Sequence, residues 1–92
     1  MAQKHVGQFV VPAGRSMRLP LDLRPGQLAA ACLSYRSAIA ACTLCGAGAV
    51  IVTGHERGTA YLQIAILEQG RLLEYRWVQI VVTQEQEDND QT

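Results

Sequence analysis

Leu28-Ala29-Ala30-Ala31-Cys32-Leu33-Ser34-Tyr35-Arg36-Ser37-Ala38-Ile39-Ala40-Ala41-Cys42-Thr43-Leu44-Cys45 is the stretch whose reading decides the fold. Leu28, Cys32, Tyr35, Ile39 and Cys42 recur at the 4-3-4-3 spacing of a helical stripe, and Gly46 stands where a helix C-cap would. The segment is rich in alanine, so propensity alone favours a helix. The competing reading is two short strands, about 30–36 and 39–45, joined at Ser37-Ala38. Residue preference does not choose between them; the flanking sequence has to.

On both sides the flanks are β-like. Phe9-Val10-Val11 stops at the turn signal Pro12-Ala13-Gly14. From Arg15 to Leu23 the chain alternates, with Met17, Leu19, Leu21 and Leu23 on one face, as a half-buried strand does. Pro20 cannot donate to a ladder, which predicts an edge strand or a bulge. After Gly46-Ala47-Gly48 comes the β-branched run Ala49-Val50-Ile51-Val52. A polar connection, Thr53 to Gly58, leads into a second alternating strand from Thr59 to Leu67, with Ala60, Leu62, Ile64 and Ile66 toward the core. Glu68-Gln69-Gly70-Arg71 reads as a hairpin turn. In the last strand, Leu72 to Thr83, the apolar residues change face: Leu73, Tyr75 and Trp77 share one side, and Val78, Ile80 and Val82 the other. That switch predicts a bulge or a change of pairing partner. Short strands at regular spacing are the pattern of a sandwich or small barrel.

The segment Tyr35-Arg36-Ser37, Gly48, Val52-Thr53-Gly54 and Gly58-Thr59-Ala60-Tyr61-Leu62 resembles the group 2 bacterial immunoglobulin-like domains of surface adhesins and phage virion proteins. Val10 to Gly14 is similar to the opening of that family, and the alternation of Val78, Ile80 and Val82 resembles its closing strand. Two features depart from the pattern: a longer spacing between Gly48 and Val52, and the alanine- and cysteine-rich segment. The resemblance implies that Leu28–Cys45 forms strands, with Gly54 and Gly58 expected to turn the backbone through positive φ. The fold expected is therefore an all-β, immunoglobulin-like β-sandwich of about seven strands, a single domain over 1–83. The alternative is an α+β fold with one helix at 28–45 packed on an antiparallel sheet.

The 92 residues are 49% apolar and 17% charged, enough for one modest core. The formal net charge is zero, but Glu85, Glu87, Asp88 and Asp90 place four of the eight acids in the last eight residues. The body is then about +4 and the tail −4, and 84–92 reads as a disordered acidic tail. No apolar run approaches the ~20 residues that cross a bilayer, so no membrane partner is expected. No secretory signal is read at the start of the chain, and the odd cysteine count suits a reducing compartment; cytoplasmic synthesis is expected.

Cys42-Thr43-Leu44-Cys45 has CxxC spacing, and Cys32, His5 or His55 could complete a zinc site. A structural site usually shows a second tight pair, and none follows, so buried thiols are expected and no metal or cofactor is assigned. His55-Glu56-Arg57 lacks a nucleophile nearby and reads as a solvated loop. Gly46-Ala47-Gly48 lacks the third glycine and following helix of a dinucleotide fingerprint. With no catalytic motif, the expectation is a non-enzymatic structural or interaction module. Arg15, Arg18, Arg71, Tyr75, Arg76 and Trp77 form the candidate partner-binding set, because arginine and aromatic residues dominate interface energetics. The partner expected is a protein or a second copy, as a homo-oligomer. With the resemblance, this suggests a phage virion accessory or decoration protein. The alternatives are a small inhibitor of a target protein and a metal-stabilised or nucleic-acid-binding small β-barrel. Nucleic acid is disfavoured because a −4 tail offsets the body's charge.

Overall fold

The computed structural model describes residues 2–84, with side chains from Gly7 onward. The expected acidic tail, Gln84 apart, lies outside the described residues. Seven strands form two sheets: β1 (Ala2–Pro12), β2 (Ser16–Pro20), β3 (Gln27–Ser34), β4 (Ala40–Cys45), β5 (Ala49–Gly54), β6 (Gly58–Glu68) and β7 (Arg71–Thr83). Sheet I has the order β1-β7-β6-β3 and sheet II the order β2-β5-β4. The two pack as a β-sandwich. Second, fifth and fourth strands oppose third, sixth and seventh, as in immunoglobulin-like architecture. The first strand joins the last in parallel, while every other pairing is antiparallel.

The deciding segment is two strands, and the ladder explains why. β6 has one edge filled by β7 and β5 has one filled by β2. A helix over Leu28–Cys45 would leave the other edges bare, each with a row of unpaired N–H and C=O groups. As strands, β3 pairs along β6 and β4 along β5. The break falls at Arg36, whose carbonyl accepts from Ile39 N (2.9 Å) and Ala40 N (3.0 Å). The alanines have a packing reason. Ala29 and Ala40 are almost fully buried where β3 and β4 converge, and larger side chains would hold the two sheets apart there.

The core lies between the sheets. Ala60, Leu62, Ile64 and Ile66 line the inner side of β6, as their alternation predicted, and are wholly buried. They meet Val78, Ile80 and Val82 from β7, and Val50 and Val52 from β5. Each fully buried aliphatic side chain contributes roughly 1.5–3 kcal/mol. The hairpin between β6 and β7 turns on Gln69 and Gly70, with φ of 51° and 82°, the pair of positive values that defines a type I′ turn.

Three expectations are corrected. The strand read from Arg15 to Leu23 ends at Pro20, because Asp22 takes a φ of 53° and Leu21 N bonds across to Gly48 O at 3.0 Å. Pro20 does lie on an edge strand, as its missing donor required. From Glu74 to Thr83 the last strand does not change face; its apolar residues do. It runs in one alternation, with Arg76 on the same side as Val78, Ile80 and Val82. The irregularities sit at Leu73, the additional residue opposite β6, and at Val6 in β1. Finally, Gly58 has the expected positive φ (151°), but Gly54 does not. Gly54 is glycine because an added Cβ would lie 2.9 Å from Pro12 O, 3.1 Å from a Val82 methyl and 3.3 Å from a Val11 methyl.

Candidate interaction surface

The six residues singled out from sequence do not form one patch. Arg18 is exposed on β2, on the outer side of sheet II, and Arg15 is exposed just before that strand. Arg71 starts β7 at the hairpin tip. Arg76 points inward: its side chain is 10% exposed, and its neighbour Glu74 is 15% exposed. The Arg76 Nε–H donates to Glu74 Oε2 at 2.6 Å and an Nη1–H donates to Leu21 O at 2.5 Å. The guanidinium thus ties β7 to the chain leaving sheet II. Parity with Val78 and Ile80 was the available signal that it faces inside. An open cleft surrounds this pair, lined by Asp22, Arg24, Gln27, Leu73, Glu74 and Arg76, where two acids and two bases balance in sign.

Tyr75 and Trp77 belong to a different surface, the outer face of sheet I. β6 contributes Thr59, Tyr61, Gln63, Ala65 and Leu67 to it, and β3 contributes Leu28, Ala31 and Leu33. Gln79 and Val81 follow on β7, with Gln8 and Val10 opposite them on β1. Among the described side chains, none on this face carries a charge. Leu33 is 52% exposed, Tyr35 53%, Val10 46% and Tyr61 44%; with Leu28, five of the nine large exposed apolar groups among the described residues lie on this one side. Sequence reasoning found Tyr75 and Trp77 here but missed Leu33, Tyr35, Tyr61 and Val10. The missed signal was the lack of any Asp, Glu, Lys or Arg at the outward positions of β6.

At the centre, Tyr35 reaches from the end of β3 across β6 and stacks on Trp77 of β7, with ring centroids 5.3 Å apart and planes at 26°. Its hydroxyl donates to Gln63 Oε1 at 2.9 Å, which fixes the ring over the sheet. Beneath it, Trp77 Nε1 is buried with no hydrogen-bond partner among the described residues. Four strands at ~4.8 Å spacing and a long strand rising ~3.3 Å per residue give a face of roughly 19 by 36 Å, about 700 Å² in projection. That is close to the ~800 Å² per partner of a standard-size interface. The outer side of sheet II is narrower and carries Arg18 opposite Ile51, with Ser16 Oγ and Thr53 Oγ1 hydrogen-bonded at 2.8 Å.

The remaining motifs fall apart in space. Residues three apart on a strand face opposite ways, so Cys42 points into the core opposite Val52 while Cys45 points outward. The CxxC sulfurs therefore do not converge. Among the described residues no three His, Cys, Asp or Glu side chains gather as a ligand set. His55, Glu56 and Arg57 are exposed, and the backbone N–H groups of His55 and Glu56 donate to Ile39 O at 2.8 and 3.3 Å, holding the β5–β6 connection against the β3–β4 turn. Gly46-Ala47-Gly48 turns β4 into β5, and its carbonyls serve the fold: Ala47 O accepts from Ala29 N at 2.8 Å and Gly48 O from Leu21 N. No protein-family model matches this chain, and no curated protein is similar to it.

Proposed function

We infer that the chain is a non-enzymatic structural and interaction module that self-associates through the outer face of sheet I. The observation that carries this reading is the aromatic-centred face, uncharged among its described side chains and about the size of a standard interface. Its chemistry favours a second copy as the occupant. A two-fold contact sets each group near its own counterpart, so a charged face would repel itself, whereas an uncharged one does not. Gln8, Gln63 and Gln79 each offer both donor and acceptor, so the polar atoms are self-complementary too.

The resemblance of the Tyr35–Leu62 region to immunoglobulin-like domains of virion proteins extends this to a role in building or decorating a larger assembly, such as a phage particle. Site-specific photo-crosslinking tests the docking face. A photoreactive residue at Tyr61 is expected to trap a covalent dimer in purified protein, and the same residue at Arg18 is not. Dimers trapped from Arg18 and not from Tyr61 overturn the assignment.

A further inference from the structure

β3 ends sheet I and β4 ends sheet II, and these two edges lie against each other on one side of the sandwich. No ladder joins them. They are held by single hydrogen bonds: Ala29 N–H donates to Ala47 O at 2.8 Å, and the Ser34 hydroxyl donates to Ala40 O at 2.6 Å. Between these ties the strands run in opposite directions. The residue two before Ser34 is Cys32, and the residue two after Ala40 is Cys42, so the pair sits at one level of the seam. Both side chains face the interior, Cys32 opposite Ile64 within sheet I and Cys42 opposite Val52 within sheet II. Each packs on the core yet stays partly exposed, because the seam is an open edge. Burial, and after it the neighbouring Cys32 thiol, push the Cys42 thiol up to about 12.

We propose that Cys32 and Cys42 are a disulfide-forming pair that staples sheet I to sheet II when the protein meets a small disulfide oxidant such as oxidised glutathione. One cysteine thiolate attacks the oxidant, breaking its S–S bond, forming a mixed disulfide and releasing one glutathione thiolate. The second cysteine, deprotonated, attacks the protein sulfur of that mixed disulfide and releases the second glutathione. The two cysteines lose two protons and two electrons in total, and the oxidant is reduced to two thiols. Cys45 takes no part, because its side chain points away from the interior. The bond closes a short loop through the Arg36–Ala38 turn and joins the sheets where only isolated hydrogen bonds hold them. Loop-closure entropy then predicts a rise in Tm of the order of 10 °C.

The test uses the full chain, with wild type and Cys45→Ser treated with oxidised glutathione under native conditions. Expected are a mass lower by two hydrogens, a tryptic digest in which the peptides on either side of Arg36 remain linked through Cys32 and Cys42, and the higher Tm. Dithiothreitol should reverse all three. Persistent glutathione adducts with no internal bond, a bond between two chains, or a linked pair that includes Cys45 would each overturn the proposal. The mass result on wild type needs no substitution to fold.

Discussion

Gly54→Ala tests a close approach of β5 to β1, in the other sheet. The added methyl would lie 2.9 Å from Pro12 O, a backbone atom held by the parallel pairing of β1 with β7, and 3.1 and 3.3 Å from Val82 and Val11 methyls. None of these can swing aside as a flexible side-chain end could. Gly54 is also pinned, donating to Arg15 O and accepting from Gly14 N, both at 2.9 Å. Overpacking of this kind costs about 1–3 kcal/mol. At ~4–8 °C per kcal/mol for a domain of this size, Tm should fall by roughly 5–20 °C. Gly48→Ala is the control, because Gly48 has no positive φ and an added Cβ there meets nothing within 4 Å. It should be neutral, or stabilising by up to ~1 kcal/mol through the unfolded state. Urea and thermal unfolding followed by circular dichroism measure both. If Gly54→Ala matches Gly48→Ala in stability, the close approach is not what requires glycine and the reasoning fails.

Arg76→Ala should destabilise by about 3–5 kcal/mol, since it leaves Glu74 and Leu21 O without their partner inside the fold. The double variant Arg76→Met/Glu74→Leu should recover to within ~1–2 kcal/mol of wild type in urea unfolding; a double variant as unstable as the single one would contradict this. A pH series tests Cys42. Its folded pKa, about 12, lies above its ordinary value of 9.0, so the unfolded chain releases this proton first. Its contribution is complete below pH 9 and is lost as pH rises toward 12. Wild type should therefore lose Tm faster than Cys42→Ala between those limits, and parallel curves would refute the shift.

Much of the fold was legible where one rule governed a residue. Ala60, Leu62, Ile64 and Ile66 alternate because one side of β6 is core, and Gln69-Gly70 turns because glycine tolerates positive φ. Pro20 marked an edge because it lacks a donor. Leu28–Cys45 was not legible from its own residues. Helical propensity and spacing act locally, whereas the open edges of β5 and β6 that recruit β3 and β4 belong to other parts of the chain. Arg76 misled for a related reason: an arginine among aromatic residues reads as interface until strand parity assigns it inward. Gly54 was rightly marked as special, but its cause is a contact with β1 some forty residues earlier in the chain, which no local turn rule contains. The docking face was half visible, through Tyr75 and Trp77. Its defining property, the lack of charge among its described side chains, needed the strand order.

Sedimentation equilibrium of wild type beside Leu33→Arg bears most directly on the central claim. Leu33 is half exposed on the outer face of sheet I, so an arginine there leaves the core untouched while placing charge on the face of each copy. Wild type should form a dimer at micromolar concentration. Leu33→Arg should weaken it by at least ~30-fold, because like charges brought together at an interface cost several kcal/mol. A wild type that stays monomeric through the hundred-micromolar range, or a dimer indifferent to Leu33→Arg, would contradict self-association through this face.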